Sequence, residues 1–208
     1  MRSRRPFVVL ALVLALAVTL LTDRWAVAGV PTDQLKAQID RVIKALEDPE
    51  LKKEGRAKDR RAAVRKIAND IFDFSETARR SLGRHWQGRT QAERDEFVQL
   101  FSDLLERSYN SKIETYGGEK ILYTSDSVEG DQAKVQTKLV AKGGSEIPIE
   151  YRMHKAGDRW LVYDVVIEGV SLVANYRTQF NKIIQTSSFK ELMNKMKNKQ
   201  QELMTGQS

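Results

Sequence analysis

The sequence predicts an α+β protein: helices first, then an antiparallel four-stranded meander sheet, then helices again. Three observations carry this. Up to Tyr116 the apolar residues recur three and four apart. From Lys120 the period drops to two, and the apolar runs are joined by Glu129-Gly130-Asp131, Lys142-Gly143-Gly144 and Ala156-Gly157-Asp158. These are short, glycine-containing connectors of the hairpin kind. From Ser171 the helical period returns and holds to Leu203.

The first residues stand apart from this pattern. Arg2, Arg4 and Arg5 precede the uncharged run Phe7–Leu21, and Ala26-Val27-Ala28 follows it. A basic start, an apolar run too short to span a bilayer and an A-x-A site make a signal peptide, cut after Ala28. Residues 1–28 are then the signal peptide and 29–208 a single domain; an uncleaved anchor is the alternative. Ser3-Arg4-Arg5-Pro6-Phe7 also resembles a twin-arginine export address, but no redox-cofactor motif accompanies it.

The elements follow in order. Thr32–Leu46 reads as a helix, with Leu35, Ile39, Val42, Ile43 and Leu46 inward and Thr32 as its cap. Asp48-Pro49 restarts a helix, and the charge run Lys52–Asp59 reads as a solvated hinge or helix face. A periodic stretch from Arg61 to about Phe74 turns Ala63, Val64, Ile67, Ala68 and Ile71 inward. Ser75 caps a short helix that Gly83 ends after Leu82. Thr90-Gln91-Ala92-Glu93 is a capping box for the longest helix, to Tyr116, with Phe97, Phe101, Leu104, Leu105, Tyr109 and Ile113 inside. The strands are Lys120–Val128, Gln132–Ala141, Ser145–Lys155 and Arg159–Ile167. In the third, Ile147, Ile149, Tyr151 and Met153 face one way and Glu150, Arg152 and His154 the other. The fourth alternates Trp160, Val162 and Val166 against Leu161, Tyr163, Val165 and Ile167, so it needs cover on both faces. Ser171–Thr186 and Phe189–Leu203 are the last helices. The final one is rich in Lys over Leu192, Met193 and Met196, and reads as a solvated face on a packed stripe, with a surface for an acidic partner or anionic lipid as the alternative.

Composition narrows the chemistry. There is no Cys, so neither disulfides nor thiolates are available. The formal charge is +7, but four Arg against one Asp lie before the cut, leaving the mature chain only mildly basic. That suits an acidic partner or an anionic head group, is weak evidence for nucleic acid, and export makes nucleic acid less favoured still. His85 and His154 are far apart with no ligand at metal spacing. Gly169-Val170-Ser171 lacks the second glycine of a nucleophile elbow, since position 173 is Val. Asp73 and Glu168 read as residues at helix ends rather than an acid pair. The residues point away from an enzyme.

Particular stretches resemble the MlaC, or toluene-tolerance, family. They are Phe72–Trp86 ("FDFSETARRSLGRHW"), the spacing from Thr90 through Arg94, Phe97 and Phe101 to Leu105, Tyr109, and Trp160–Leu172 ("WLVYDVVIEGVSL") with Asn175, Tyr176 and Arg177. The resemblance runs from about Leu35 to about Lys199. It implies a twisted sheet and helices around an apolar lipid cavity, with no cofactor, bound phospholipid as the ligand, and a periplasmic location. It further implies a soluble monomeric shuttle working with an inner-membrane MCE-type ABC transporter complex and an outer-membrane lipoprotein complex. The family's pocket positions fall on Tyr109, Ile147, Ile149 and Val170. Flanking apolar residues on the same faces are Phe101, Leu105, Ile113, Tyr151, Val165 and Leu172. A hopanoid-associated branch shares the motifs, and a periplasmic chaperone or adaptor that binds peptides is a further alternative.

Overall fold

The computed structural model describes residues 29–205, without the side chains of 109–114 and 203–205; the signal-peptide reading falls outside the described residues. The helices are α1 (Val30–Glu47), α2 (Pro49–Lys52), α3 (Ala57–Ile71), α4 (Phe74–Leu82) and α5 (Gln91–Glu114) before the sheet, and α6 (Leu172–Thr186) and α7 (Phe189–Thr205) after it. The strands are β1 (Lys120–Glu129), β2 (Gln132–Val140), β3 (Glu146–Ala156), β4 (Arg159–Ile167) and a short β5 (Val170–Ser171).

Local chemistry explains most boundaries. The Asp48 carboxylate accepts from the Glu50 and Leu51 amides and starts α2 at Pro49. The Thr90 hydroxyl accepts from Glu93 N at 3.2 Å while Glu93 Oε2 accepts from Thr90 N at 2.8 Å, a reciprocal box that opens α5. Two expected caps are held by other residues. Gly29 occupies the cap of α1 with no side-chain bond, and the Thr32 hydroxyl donates instead to Asp126 on β1 at 2.7 Å. Asp73, not Ser75, caps α4, accepting from Glu76 N at 2.8 Å.

The sheet is a meander in the order β1-β2-β3-β4-β5, each pair antiparallel. The fifth strand comes from the segment after Ile167. Glu168 and Gly169 both have positive φ, 49° and 82°, and Ile167 pairs with Val170 across them. This is a two-residue hairpin with the handedness that suits twisted strands. Gly169 adopts that backbone without cost, and the Glu168 amide is held by the Pro148 carbonyl at 3.0 Å.

Two bulges change which residues share a face. One lies in β1 between Tyr123 and Ser125. The other lies in β4: Met153 pairs with Val162 but Arg152 with Asp164, leaving Tyr163 extra. The period-two reading of β4 is therefore corrected beyond Tyr163. Trp160, Val162, Val165 and Ile167 share a face with the odd-numbered side chains of β3, and Val166 falls on the opposite face with Asp164.

Both faces carry helices. On the first, Leu35 and Ile39 of α1 and Ile67 and Ile71 of α3 pack with Ala133, Val135, Met153, Trp160 and Val162. On the second, α4 and α6 meet the polar side chains. Asp73 Oδ2 stands 3.0 Å from His154 Nε2, Thr77 donates to the Tyr163 carbonyl at 3.0 Å, and Arg80 lies 3.8 Å over the Tyr163 ring. A separate buried cluster is made of helices alone: Ala78, Leu82, Phe97, Leu100, Phe101, Leu105, Phe180, Phe189, Leu192, Met193 and Met196. The last three are the expected inner stripe of α7. Among its lysines, Lys195, Lys197 and Lys199 pair with Glu191, Glu96 and Glu202.

Candidate functional site

The structure divides the ten residues singled out from the sequence. Phe101 is 1% exposed and Leu105 6%, both inside the helical cluster. Around Phe101 the rings of Tyr176 and Phe180 stand edge-on with centroids 5.0 and 5.2 Å away. That is interlocked packing. Leu172, half-buried at the start of α6, leans on the same cluster. Tyr109 and Ile113 lie on α5, but their side chains are outside those described. Tyr151 and Val165 pack against the sheet cluster. Ile147 and Ile149 are half-buried and belong to neither cluster among the described residues. Val170, on β5, is 61% exposed.

The strand register shows what joins the sheet residues. Tyr123, Thr137, Ile149 and Ile167 are successive partners across β1 to β4, and Ile121, Leu139 and Ile147 form the adjacent row. Both rows lie on the face that α1 and α3 cover elsewhere. Their ends on β1 open into a cavity of about 360 Å³ between α1 and the turn before β1. Ile39, Ile43 and Ile121 supply apolar wall there, with Tyr123 beside them. Lys36, Asp40, Glu119 and Lys120 bring charge to the same cavity, and Lys36 and Asp40 pair at 3.1 Å. This cavity was not anticipated from the sequence. The signal available was Ile121 and Tyr123 two apart in a strand, which any inner face also shows.

Two phenols stand on this face. Burial raises the pKa of Tyr123 well above the ordinary phenol value, with Tyr151 and Asp40 adding to the shift. Its hydroxyl has no hydrogen-bond partner among the described residues. Burial pushes Tyr151 up to about 12, opposed by a hydrogen bond with Thr137. Both are therefore neutral donors at neutral pH. The recess offers apolar wall with charge beside it, an environment for an apolar or amphipathic guest.

The corner that follows β4 is built rigidly. Asp164, 3% exposed, accepts from Val173 N at 3.0 Å and from the Ser171 hydroxyl at 2.6 Å, and Arg152 reaches it at 3.3 Å. Ser171 Oγ in turn accepts from Ala174 N at 3.0 Å. Ser171 is thus the cap of α6, as its position before the helical period predicts. Sequence reasoning missed Asp164, because a carboxylate in an apolar strand carries no mark of the helix it will meet. Among the described residues, no group of three His, Cys, Asp or Glu side chains is placed to hold a metal ion, and no helix is long and apolar enough to cross a membrane.

Fold and site together define an α+β class: a meander sheet with helices on both faces and an open recess of mixed apolar and charged lining at one end. The family model described as MlaC protein matches residues 36–198, and the chain belongs to that family. It is 23% identical over 138 residues to the intermembrane phospholipid transport system binding protein MlaC of Haemophilus influenzae, a match covering 62% of this chain and 64% of that protein. It is 25% identical over 93 residues to the toluene tolerance protein ttg2D of Pseudomonas putida, covering 41% and 42%. The chain thus matches less than two thirds of the length of either relative. Its fold matches that of a phospholipid-binding protein from Ralstonia solanacearum, solved in complex with a phospholipid, with a TM-score of 0.75 and 22% identity over 84% of this chain and 98% of that one.

Proposed function

We propose that this protein is a periplasmic phospholipid carrier, a single-domain monomer that shelters acyl chains and shuttles lipid between outer and inner membranes. The observation that carries the reading is Ile147, Ile149 and Ile167 on the face that α1 and α3 cover elsewhere, half-buried and part of neither cluster among the described residues. Membership of the MlaC family and the name of the Haemophilus relative support it, as does the phospholipid bound to a protein of like fold. Each methylene taken from water contributes roughly 0.8 kcal/mol, so a tail of about sixteen carbons contributes on the order of 12 kcal/mol gross. A carrier needs no reacting group; it needs a dry wall that replaces the bilayer interior.

In this reading Ile147, Ile149, Tyr151 and Val165 form the sheet side of the wall, and the neutral phenols of Tyr123 and Tyr151 donate to ester or phosphate oxygens. Val170 stands at the lip. Tyr109 and Ile113 enter as positions on α5 alone. The membrane partners are an inner-membrane MCE-type ABC transporter complex and an outer-membrane lipoprotein complex.

Mass spectrometry of a solvent extract from protein purified from the periplasm is the test. Phospholipid in near-stoichiometric amount is expected; hopanoid in its place would redirect the reading within the family. Protein that carries no lipid and takes none from vesicles, while keeping native circular dichroism, overturns it. Val170→Glu, at an exposed position, should lower lipid uptake with the fold intact.

A further inference from the structure

We propose that Asp126 is the seat of the mature chain's N-terminal ammonium, so that removal of the leader fastens α1 to β1. Two independent observations meet at one bond. The sequence places Ala26-Val27-Ala28, a small-residue cleavage site, directly before Gly29. The structure places Gly29 N 2.8 Å from Asp126 Oδ2, a contact between residues 97 positions apart. The same oxygen accepts from the Thr32 hydroxyl at 2.7 Å. The Gly29 carbonyl accepts from Asp33 N at 3.1 Å, the first turn of α1. The nitrogen that cleavage frees is therefore already aimed at a carboxylate.

Space around residue 29 is matched to this contact. A Cβ there would lie 2.5 Å from Asp126 Oδ2. With φ at −73° the backbone is one any residue adopts, so the fit at residue 29 is one of clearance, and a Cβ there would have to shift the end of the Asp126 side chain. A larger residue would push the carboxylate off both Gly29 N and Thr32.

The chemistry changes in one step. Water hydrolyses the Ala28–Gly29 amide: the Ala28 carbonyl carbon takes the hydroxyl, and the Gly29 nitrogen takes protons to become an ammonium. A neutral amide donor becomes a charged one in the same place. Charge-assisted hydrogen bonds are about twice as strong as neutral ones, and a positive group completes the Asp126 site, where α1 otherwise presents only its partial charge. Cleavage thus converts an ordinary helix start into an ion pair that ties the first helix to the sheet edge.

The inference rests on the export reading, and two measurements separate them. Intact mass of periplasmic protein should give Gly29 as the first residue; any other start overturns both the cleavage site and the seat. The melting temperature is then compared between chains starting at Gly29 and at Ala28, with Asp126 and with Asp126→Asn. One extra residue moves the ammonium by about 3.8 Å. The Gly29 start should melt about 2–4 °C higher, and only when Asp126 is present. Equal melting of the two starts overturns the seat while leaving the export reading in place. If Asp126→Asn fails to fold, N-terminal transamination of the Gly29 chain removes the ammonium with Asp126 kept; a drop of the same size is expected, and no drop overturns the proposal.

Discussion

The helical cluster around Phe97 and the sheet cluster around Met153 bury the same kinds of side chain but close in different ways. In the first, Phe97, Phe101, Phe180 and Tyr176 stand edge-on or stacked at 5.0–5.8 Å. Four helices each present a stripe, and their rings interlock. In the second, α1 and α3 cover only the part of the sheet near Met153 and Val162. Beyond it Ile147 and Ile149 remain half-buried, and the rows they belong to end on β1 at a cavity and a phenol hydroxyl without a partner among the described residues. A helix can turn and slide to fill a gap against another helix; a helix over a twisted sheet touches it along one band and leaves the ends uncovered. Stability and vacancy are thereby assigned to different regions.

The largest expected effect breaks the comparison from its sealed side. Phe101→Ala should cost about 3–5 kcal/mol in urea unfolding, while the lipid extracted per folded molecule stays unchanged. A small stability loss with lost lipid would move Phe101 from core to cavity wall. Ile149→Glu should give the reverse pattern: extracted lipid disappears, and the urea midpoint moves less than half as far as in Phe101→Ala. If both substitutions unfold the protein equally, the two regions are not distinct.

A third test addresses α4, which carries the helical cluster onto the other face of the sheet. Hydrogen bonds from Arg79, foremost, and from Arg80 hold the Glu76 carboxyl at about 2 against an ordinary 4.5. A depressed carboxyl adds stability that is full above pH 4.5 and lost as the pH falls toward 2. Melting followed through that window should show an acid slope in the wild type that Glu76→Gln flattens; an unchanged slope would place the acid sensitivity elsewhere. The smallest effect sharpens the open side. Tyr123→Phe removes a buried hydroxyl that lacks a partner among the described residues, so stability should hold or rise by up to about 1 kcal/mol. A loss of more than about 1 kcal/mol in urea unfolding would show that the hydroxyl is satisfied in solution.

Much of the fold was legible in the sequence because its signals are local. The Thr90–Glu93 box, Asp48-Pro49, Ser171 before α6 and the glycine connectors each act within four residues. The candidate site was legible only in part. Ile147, Ile149 and Tyr151 were placed correctly on one face, but Phe101 and Leu105 share their apolar character and are packed solid. Periodicity marks a side chain as inward without saying whether anything fills the space in front of it.

The sequence by itself determined the class, the element order and the antiparallel meander, since these follow from periods and turn chemistry along the chain. The tertiary structure decided which faces the side chains take beyond the bulges at Thr124 and Tyr163, and which apolar residues meet others. It also decided that Asp126 meets Gly29 and that Asp164 meets α6. One extra residue in a strand inverts every later side chain, and contacts across about a hundred positions depend on how helices seat on a twisted sheet. No local pattern records either.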